Sequence, residues 1–148
     1  MKFTSCTENY LDVQYGKTIV QEINKAVIKQ QYGSGLVLGT AGTLDLKAQY
    51  AAVTISKIKG NALIKQQYGQ GLNIAAVDNL DLDAQYVNVK VGNVNGNANI
   101  KQQYNNISIA SVNNKLNLKG QYANVKVGNL RGDGNFSVEY NKLTFKYK

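Results

Sequence analysis

A tyrosine recurs at a fixed interval along most of this 148-residue chain. The series starts 17 residues after Tyr15 and then advances by 18 residues each time, through Tyr32, Tyr50, Tyr68, Tyr86, Tyr104, Tyr122 and Tyr140. A glutamine precedes each tyrosine except the last, which follows Glu139. A fixed period of this length is typical of repeat proteins in which each unit stacks on the one before it. The spacing therefore constrains the architecture more than any other feature.

Each 18-residue unit also contains short apolar alternations separated by turn residues. Leu44-Asp45-Leu46, Val53-Thr54-Ile55 and Leu116-Asn117-Leu118 alternate with a period of two, which indicates strands and not helices. Between such stretches lie Lys59-Gly60-Asn61 and Asn95-Gly96-Asn97, whose Gly and Asn residues tolerate left-handed backbone conformations at turns. We therefore predict two short strands and two turns in each unit.

Two β architectures compete for this pattern. An antiparallel meander gives no reason for identical residues at identical positions, whereas a parallel solenoid stacks them about 4.8 Å apart. Stacked glutamines can then form amide ladders, and stacked tyrosine rings gain roughly 0.5–1.5 kcal/mol per pair. The absence of proline suits a ladder that needs every backbone donor. The sequence predicts an all-β, single-stranded parallel β-solenoid of about seven to eight 18-residue coils, roughly 35 Å long.

The parity of the apolar positions predicts which columns face inward. Leu44, Leu46, Ala48 and Tyr50 are two residues apart, so on a continuous strand they share a face. We therefore predict a buried tyrosine ladder that sets the coil register, with an outward tyrosine stripe as the alternative. The predicted structural ladder comprises Tyr32, Tyr50, Tyr68, Tyr86, Tyr104, Tyr122 and Tyr140.

Two further irregularities carry predictions. In alternate units Gln66 or Gln102 stands where other units have alanine, so we expect this position to lie near a corner. Gly35 and Gly71 precede a one-residue slip of the apolar pair, and we expect each to accommodate a bulge.

The positions between the inward columns form the candidate binding surface. Lysine and glutamine recur there at coil spacing and are expected to face solvent, where they would act as a ruler for a repetitive ligand. The residues of this surface are Lys29, Gln31, Lys47, Gln49, Lys65, Gln67, Gln85, Lys101, Gln103, Lys119 and Gln121.

The repeats divide the chain into two parts. Residues 1–14 depart from the pattern and are predicted to be an irregular cap or the remnant of a preceding region, while residues 15–148 form the solenoid domain. Cys6 cannot form an internal disulfide because it is the only cysteine, so we expect a free structural thiol. No apolar run approaches the ~20 residues of a membrane span, and no hydrophobic amino-terminal segment of the signal-peptide type is present.

The charge of +8 is concentrated near the carboxyl terminus. Residues 115–148 contain seven basic and two acidic residues, which gives +5 for this part of the chain. Such a skew can attract anionic polysaccharide, lipid headgroups or nucleic acid, although a solvated face that discourages strand pairing accounts for it more simply. Nucleic acid is not expected as a partner, because no recognition motif appears.

Groups for catalysis are scarce. The chain has no histidine, and its single cysteine has no candidate base, so nucleophilic triads and ordinary zinc sites cannot be assembled. Asp81 and Asp83 are expected to share an outward face, with Asp45 two coils away at about 10 Å, which is too sparse for acid–base cooperation or calcium. We predict no catalytic residue, no metal site and no cofactor.

The tripeptide Arg131-Gly132-Asp133 matches the sequence that integrin-binding adhesive proteins present on exposed loops. Its position in the repeat is a turn, equivalent to Asn95-Gly96-Asn97. Turn chemistry alone explains a glycine flanked by polar residues. We therefore expect an exposed turn without a requirement for integrin binding.

The stretch Tyr122-Ala123-Asn124-Val125-Lys126-Val127-Gly128-Asn129-Leu130 resembles the β-helical repeats of bacterial adhesin-like proteins. The likeness covers residues 15–148 and supplies no catalytic residues. It implies a secreted or cell-envelope-associated solenoid that works as a non-enzymatic binding or scaffold module, with a polysaccharide or another surface protein as partner. The alternatives are a structural spacer or a stalk that self-associates through its ends and, as a third class, a carbohydrate-active enzyme.

Overall fold

The structure, a computed structural model, describes residues 2–33, 35–139 and 142–147. These residues form ten β-strands joined by short turns, and no helix occurs among them. The strands are β1 (Lys2–Val13), β2 (Lys17–Gln31), β3 (Gly35–Gln49), β4 (Ala52–Gln67), β5 (Gly71–Gln85), β6 (Val89–Val94), β7 (Ala98–Val112), β8 (Leu116–Leu130), β9 (Gly134–Glu139) and β10 (Leu143–Tyr147).

Every strand pairing is parallel, and each strand pairs with the equivalent strand of the next coil. The order through the sheet is β1-β2-β3-β4-β5-β6-β7-β8-β10, with β9 on β8 and an additional β5–β7 pairing. Partners are about 18 residues apart, as in Leu46 with Ile64 and Ile64 with Leu82. The chain is therefore a parallel β-solenoid of about seven turns, which confirms the predicted fold class.

The core lies inside the coils and is built from stacked aliphatic columns. Leu46, Ile64, Leu82 and Ile100 occupy one such column and are each at most 2% exposed. Burial of each aliphatic side chain contributes about 1.5–3 kcal/mol. Because one coil cannot enclose its own apolar residues, stability depends on the neighbouring coils above and below.

The predicted one-residue slip appears in the register. Leu36 pairs with Val53 and Val53 pairs with Leu72, which are offsets of 17 and 19 residues. The ladder then shifts between Ala41 and Leu44, and an offset of 18 returns. An extra residue at one corner is thus compensated at the next, and the coil length is preserved. Gly35 adopts φ +139° at this corner, a backbone conformation that residues other than glycine rarely adopt.

The predicted tyrosine ladder is present, but its side chains do not face inward, so the predicted burial is wrong and the outward alternative holds. Tyr32, Tyr50, Tyr68, Tyr86, Tyr104 and Tyr122 all have positive φ, between 48° and 58°. The left-handed residue turns the chain at the corner, so the alternation that places Ala48 inside does not continue to Tyr50. The six side chains are 38–50% exposed at this corner. Tyr140 lies outside the described residues.

The amino-terminal segment continues the parallel sheet. Lys2–Val13 is strand β1, which pairs in parallel with β2 from Lys2 opposite Ile19 to Val13 opposite Gln30. Parallel pairing uses backbone groups, so it extends into a segment whose side chains lack the repeat pattern. The solenoid ladder therefore includes Lys2–Val13, and Cys6 lies within it.

Candidate binding face

All eleven residues of the predicted binding surface lie on one face of the solenoid. Their strands pair directly, so lysines and glutamines form two adjacent columns along the axis. The lysine column consists of Lys29, Lys47, Lys65, Lys101 and Lys119, all exposed, and the glutamine column consists of Gln31, Gln49, Gln67, Gln85, Gln103 and Gln121. We call these two columns together the lysine–glutamine face.

The glutamine column is a continuous ladder of side-chain hydrogen bonds. Gln31 Nε2 donates to Gln49 Oε1 at 3.3 Å, and the next four steps measure 3.1, 2.9, 2.7 and 2.9 Å. The last step runs from Gln121 Nε2 to Glu139 Oε2 at 3.5 Å. All donors point toward the carboxyl terminus. Since an amide carries two N–H groups and the ladder uses one, each coil retains an N–H donor on this face.

Two shallow grooves run between the lysine and glutamine columns. The first has a volume of about 280 Å³ and is lined by Lys29, Gln31, Lys47, Ala48, Gln49, Lys65, Gln67 and Asp83. The second, of about 360 Å³, is lined by Lys101, Gln102, Gln103, Lys119, Gly120, Gln121, Ser137 and Glu139. Both follow the axis of the solenoid, so an extended chain laid along them meets the same groups once per coil.

Asp83 interrupts the lysine column. It pairs with Lys65 on one side and with Lys101 on the other, at the position where the remaining coils have lysine. The column therefore presents three consecutive lysines, one carboxylate and then two lysines. Asp83 also lines the end of the first groove, so the charge on this face changes sign there.

The tyrosine corner borders the glutamine column and forms a stack of seven rings. Ring centroids from Tyr15 to Tyr122 are 4.5–5.6 Å apart, with interplanar angles of 3–21°. Because each inner ring is covered on both faces by its neighbours, the stripe presents ring edges and phenol groups to solvent. Desolvation within the stack raises the pKa of Tyr86 above its ordinary value of 10.0, and Tyr104 and Tyr68 raise it further.

Sequence reasoning did not identify three buried glutamines next to this corner. Gln30, Gln66 and Gln102 are fully buried and alternate in their column with alanines. Their amide groups donate to backbone carbonyls just after a tyrosine, those of Gly16, Ala51 and Val87, at 2.8–3.0 Å. Gln66 lies two residues after the buried Ile64 on the same strand, so the alternation of inward and outward positions was the signal that could have revealed these glutamines.

Asp81 and Asp83 lie two residues apart in β5, and neither is buried. Asp45 and Asp81 occupy one outward column, but Leu63 lies between them in the intervening coil. Within the described ranges, no group of three acidic or cysteine side chains comes close enough to hold a metal ion. A third groove of about 660 Å³ passes over these residues and contains the Asn79 Nδ2 to Asn61 Oδ1 hydrogen bond of 3.0 Å.

Arg131, Gly132 and Asp133 form the turn between β8 and β9, as predicted from the repeat. Arg131 and Asp133 are exposed. A Cβ atom on Gly132 would collide with the carbonyl oxygen of Asn114 in the coil below, so coil packing requires glycine at this position. Arg131 and Asp133 also contribute backbone groups to the ladder, through bonds to Val112 and Leu116.

No family model, curated protein or solved structure matches this chain significantly. None of the described residues forms a helix that is long and apolar enough to cross a membrane. The arrangement of donors on the lysine–glutamine face is therefore the basis for a functional assignment.

Proposed function

We propose that the protein is a non-enzymatic, adhesin-like binding module that holds an extended repetitive polymer along its lysine–glutamine face. A glycan is the polymer class that we expect, and the secreted or cell-envelope setting follows from the adhesin-like repeat. Each coil of this face, except the one that carries Asp83, would supply one lysine and one glutamine to one repeat of the ligand.

The observation that carries this proposal is the coil spacing of the two columns. Lys29, Lys47 and Lys65 are direct partners in successive strands, so their backbone positions are about 4.8 Å apart. The glutamine ladder fixes the amides at the same spacing. A row of weak contacts with one register gives avidity, because each contact holds the next ligand group at a high effective concentration.

The non-enzymatic role that we propose is supported by the distribution of carboxylates. A pair of acidic side chains must flank one bond to cleave a glycoside. Asp45 and Asp81 are instead separated by a whole coil and by Leu63. Asp81 and Asp83 are two residues apart in β5, but they line different grooves. Incubation with the bound polymer, followed by measurement of reducing ends, tests this point, and an increase over buffer would contradict it.

The binding proposal is tested on an array of neutral and acidic polysaccharides, at low and at moderate salt. Retention of at least one polymer class, lost in the Lys47→Gln/Lys65→Gln variant, is the expected result. The matched control is Lys90→Gln/Lys126→Gln, which removes the same charge from exposed residues beyond the tyrosine corner. Equal retention by both variants would contradict binding at this face.

A structural spacer or self-associating stalk is the second candidate. The observation in its favour is that β1 pairs on one side only, with β2, within the described sheet. An unpaired strand edge can add a strand from another copy. Sedimentation velocity between micromolar and millimolar protein distinguishes the two candidates, since a stalk forms larger species as concentration rises.

A further inference from the structure

We infer that the ligand of the lysine–glutamine face is an acidic linear polysaccharide with a carboxylate on each sugar, held by two lysine blocks that Asp83 separates. The inference rests on the proposed function and specifies its ligand class. It follows from three properties of the face: its exposed groups are mainly hydrogen-bond donors, its tyrosine ring faces are covered by stacking, and its charge changes sign at Asp83.

The groups presented to a ligand are predominantly donors. Lysine offers three N–H donors and no acceptor, and each ladder glutamine retains an unused N–H. The stacked tyrosines add phenol groups and ring edges, which carry the positive part of the ring quadrupole. A ligand rich in negatively charged acceptors satisfies all three columns, whereas a neutral polymer leaves the lysines without a counter-charge.

The tyrosine stack disfavours two other ligand classes. Neutral sugars commonly pack against an open aromatic face, and single-stranded nucleic acids stack their bases on aromatic side chains. The inner rings of this stripe are covered on both faces at centroid separations of 4.5–5.6 Å. Neither mode of stacking is therefore open along the stripe, and recognition depends on charge and hydrogen bonds.

The spacing of the lysines favours a polymer that carries charge frequently. Lys29, Lys47 and Lys65 repeat at about 4.8 Å, close to the advance of one sugar in an extended chain. Polygalacturonate has a carboxylate on every residue, so more than one of its carboxylates can lie within reach of the lysine side chains of one block. Its methyl ester has the same backbone without the charge, which makes the two polymers a matched pair.

Asp83 determines how many consecutive lysines each of the two lysine blocks contains. It occupies the lysine column between Lys65 and Lys101 and would oppose a polymer carboxylate at that coil. The ligand therefore contacts three lysines before the interruption and two after it. Asp83→Lys makes the column continuous over six coils, so it is expected to strengthen binding and steepen its salt dependence.

The experiment measures binding of polygalacturonate, its methyl ester and poly(dT) by calorimetry at two salt concentrations. We expect polygalacturonate alone to bind. Lys47→Gln/Lys65→Gln should weaken it by roughly tenfold, at about threefold for each exposed ion pair, and Asp83→Lys should tighten it by about threefold or more. The Lys90→Gln/Lys126→Gln control should change affinity less than twofold, with thermal unfolding showing that every variant is folded.

The outcomes separate this inference from the proposed function. Equal binding of the methyl ester would overturn the acidic ligand and leave polymer binding intact. Tighter binding of poly(dT) would identify a nucleic-acid surface and overturn the inference. Binding of polygalacturonate that is unchanged in Asp83→Lys would overturn the two-block arrangement. If no polymer on the array binds, the proposed function itself fails.

Discussion

Thr18 Oγ1 donates a hydrogen bond of 3.0 Å to Gln30 Oε1 inside the solenoid, and both residues are fully buried. Two coils further along, Gln66 repeats the position of Gln30, but Val53 occupies the position of Thr18. Gln66 Oε1 has no hydrogen-bond donor, and neither has Gln102 Oε1. The same chain thus contains one satisfied and two unsatisfied versions of one interior motif.

Val53→Thr is therefore expected to cost little stability or to increase it. The new hydroxyl can donate to Gln66 Oε1 as Thr18 does to Gln30, and a satisfied buried hydrogen bond contributes about 1 kcal/mol. The matched control is Val125→Thr in the same inward column, whose coil has Val138 in place of the glutamine. A buried hydroxyl without a partner should cost about 1–3 kcal/mol. Denaturant unfolding measures both, and equal losses would contradict the pairing.

The glutamine ladder predicts a pH-dependent defect in Gln67→Glu. A carboxylate at this position still accepts from Gln49 but cannot donate to Gln85, so about 1–3 kcal/mol should be lost at pH 7. Protonation restores one O–H donor, so the loss should shrink as pH falls from 7 and be smallest below about pH 4.

The control for this ladder is Glu139→Gln, at the position where the chain of bonds ends. In the ladder, residue 139 accepts a hydrogen bond from Gln121, a role that glutamate and glutamine can both fill, so Glu139→Gln should keep the last step of the ladder. Thermal unfolding at pH 7 and pH 4 measures both variants. A Gln67→Glu defect that is independent of pH would argue against the donor role.

Substitutions of Tyr68 separate ring stacking from backbone strain. Tyr68→Phe keeps both ring contacts, of 5.3 and 4.9 Å, and should lose less than about 0.5 kcal/mol. Tyr68→Ala removes both contacts, at roughly 0.5–1.5 kcal/mol each. Tyr68→Gly removes them too, but it adopts φ +53° without strain and should be about 1 kcal/mol more stable than the alanine variant. Alanine as the more stable of the two would contradict this account.

Alkaline pH should destabilise the solenoid through Tyr86. Its pKa is raised in the folded state above the ordinary value of 10.0, so above pH 10 the unfolded chain loses a proton that the folded chain retains. The free energy of unfolding must then fall as pH rises through this window, whereas the contribution is fully present below pH 10. Tyr86→Phe keeps the ring and should reduce the slope measured by denaturant unfolding between pH 9.5 and 11. If the free energy of unfolding of Tyr86→Phe falls with pH as steeply as that of the unsubstituted protein, Tyr86 does not contribute to the alkaline destabilisation.

The sequence predicted the coil length and the parallel stacking. Identical residues at an 18-residue spacing, such as Gln31, Gln49 and Gln67, can form hydrogen bonds with one another only when they lie above one another. It also predicted which lysines and glutamines share a face. It did not predict the orientation of Tyr50, because parity assumes an unbroken strand and the left-handed φ of 54° is decided by corner geometry. Thr18 and Gln30 were missed because both are polar, and their burial becomes visible only when coil closure brings their hydrogen-bonding atoms together.

The alternation of glutamine with alanine inside the coils limits how such a protein can change its length. Gln30, Ala48, Gln66, Ala84 and Gln102 stack in one column, so each large side chain has a small one above or below it. Loss of a single coil between them would place two glutamines, or two alanines, in contact and leave the interior overfilled or hollow. Loss or gain of two adjacent coils keeps the alternation. The module by which this solenoid can lengthen or shorten is therefore a pair of coils, although its smallest visible repeat is one.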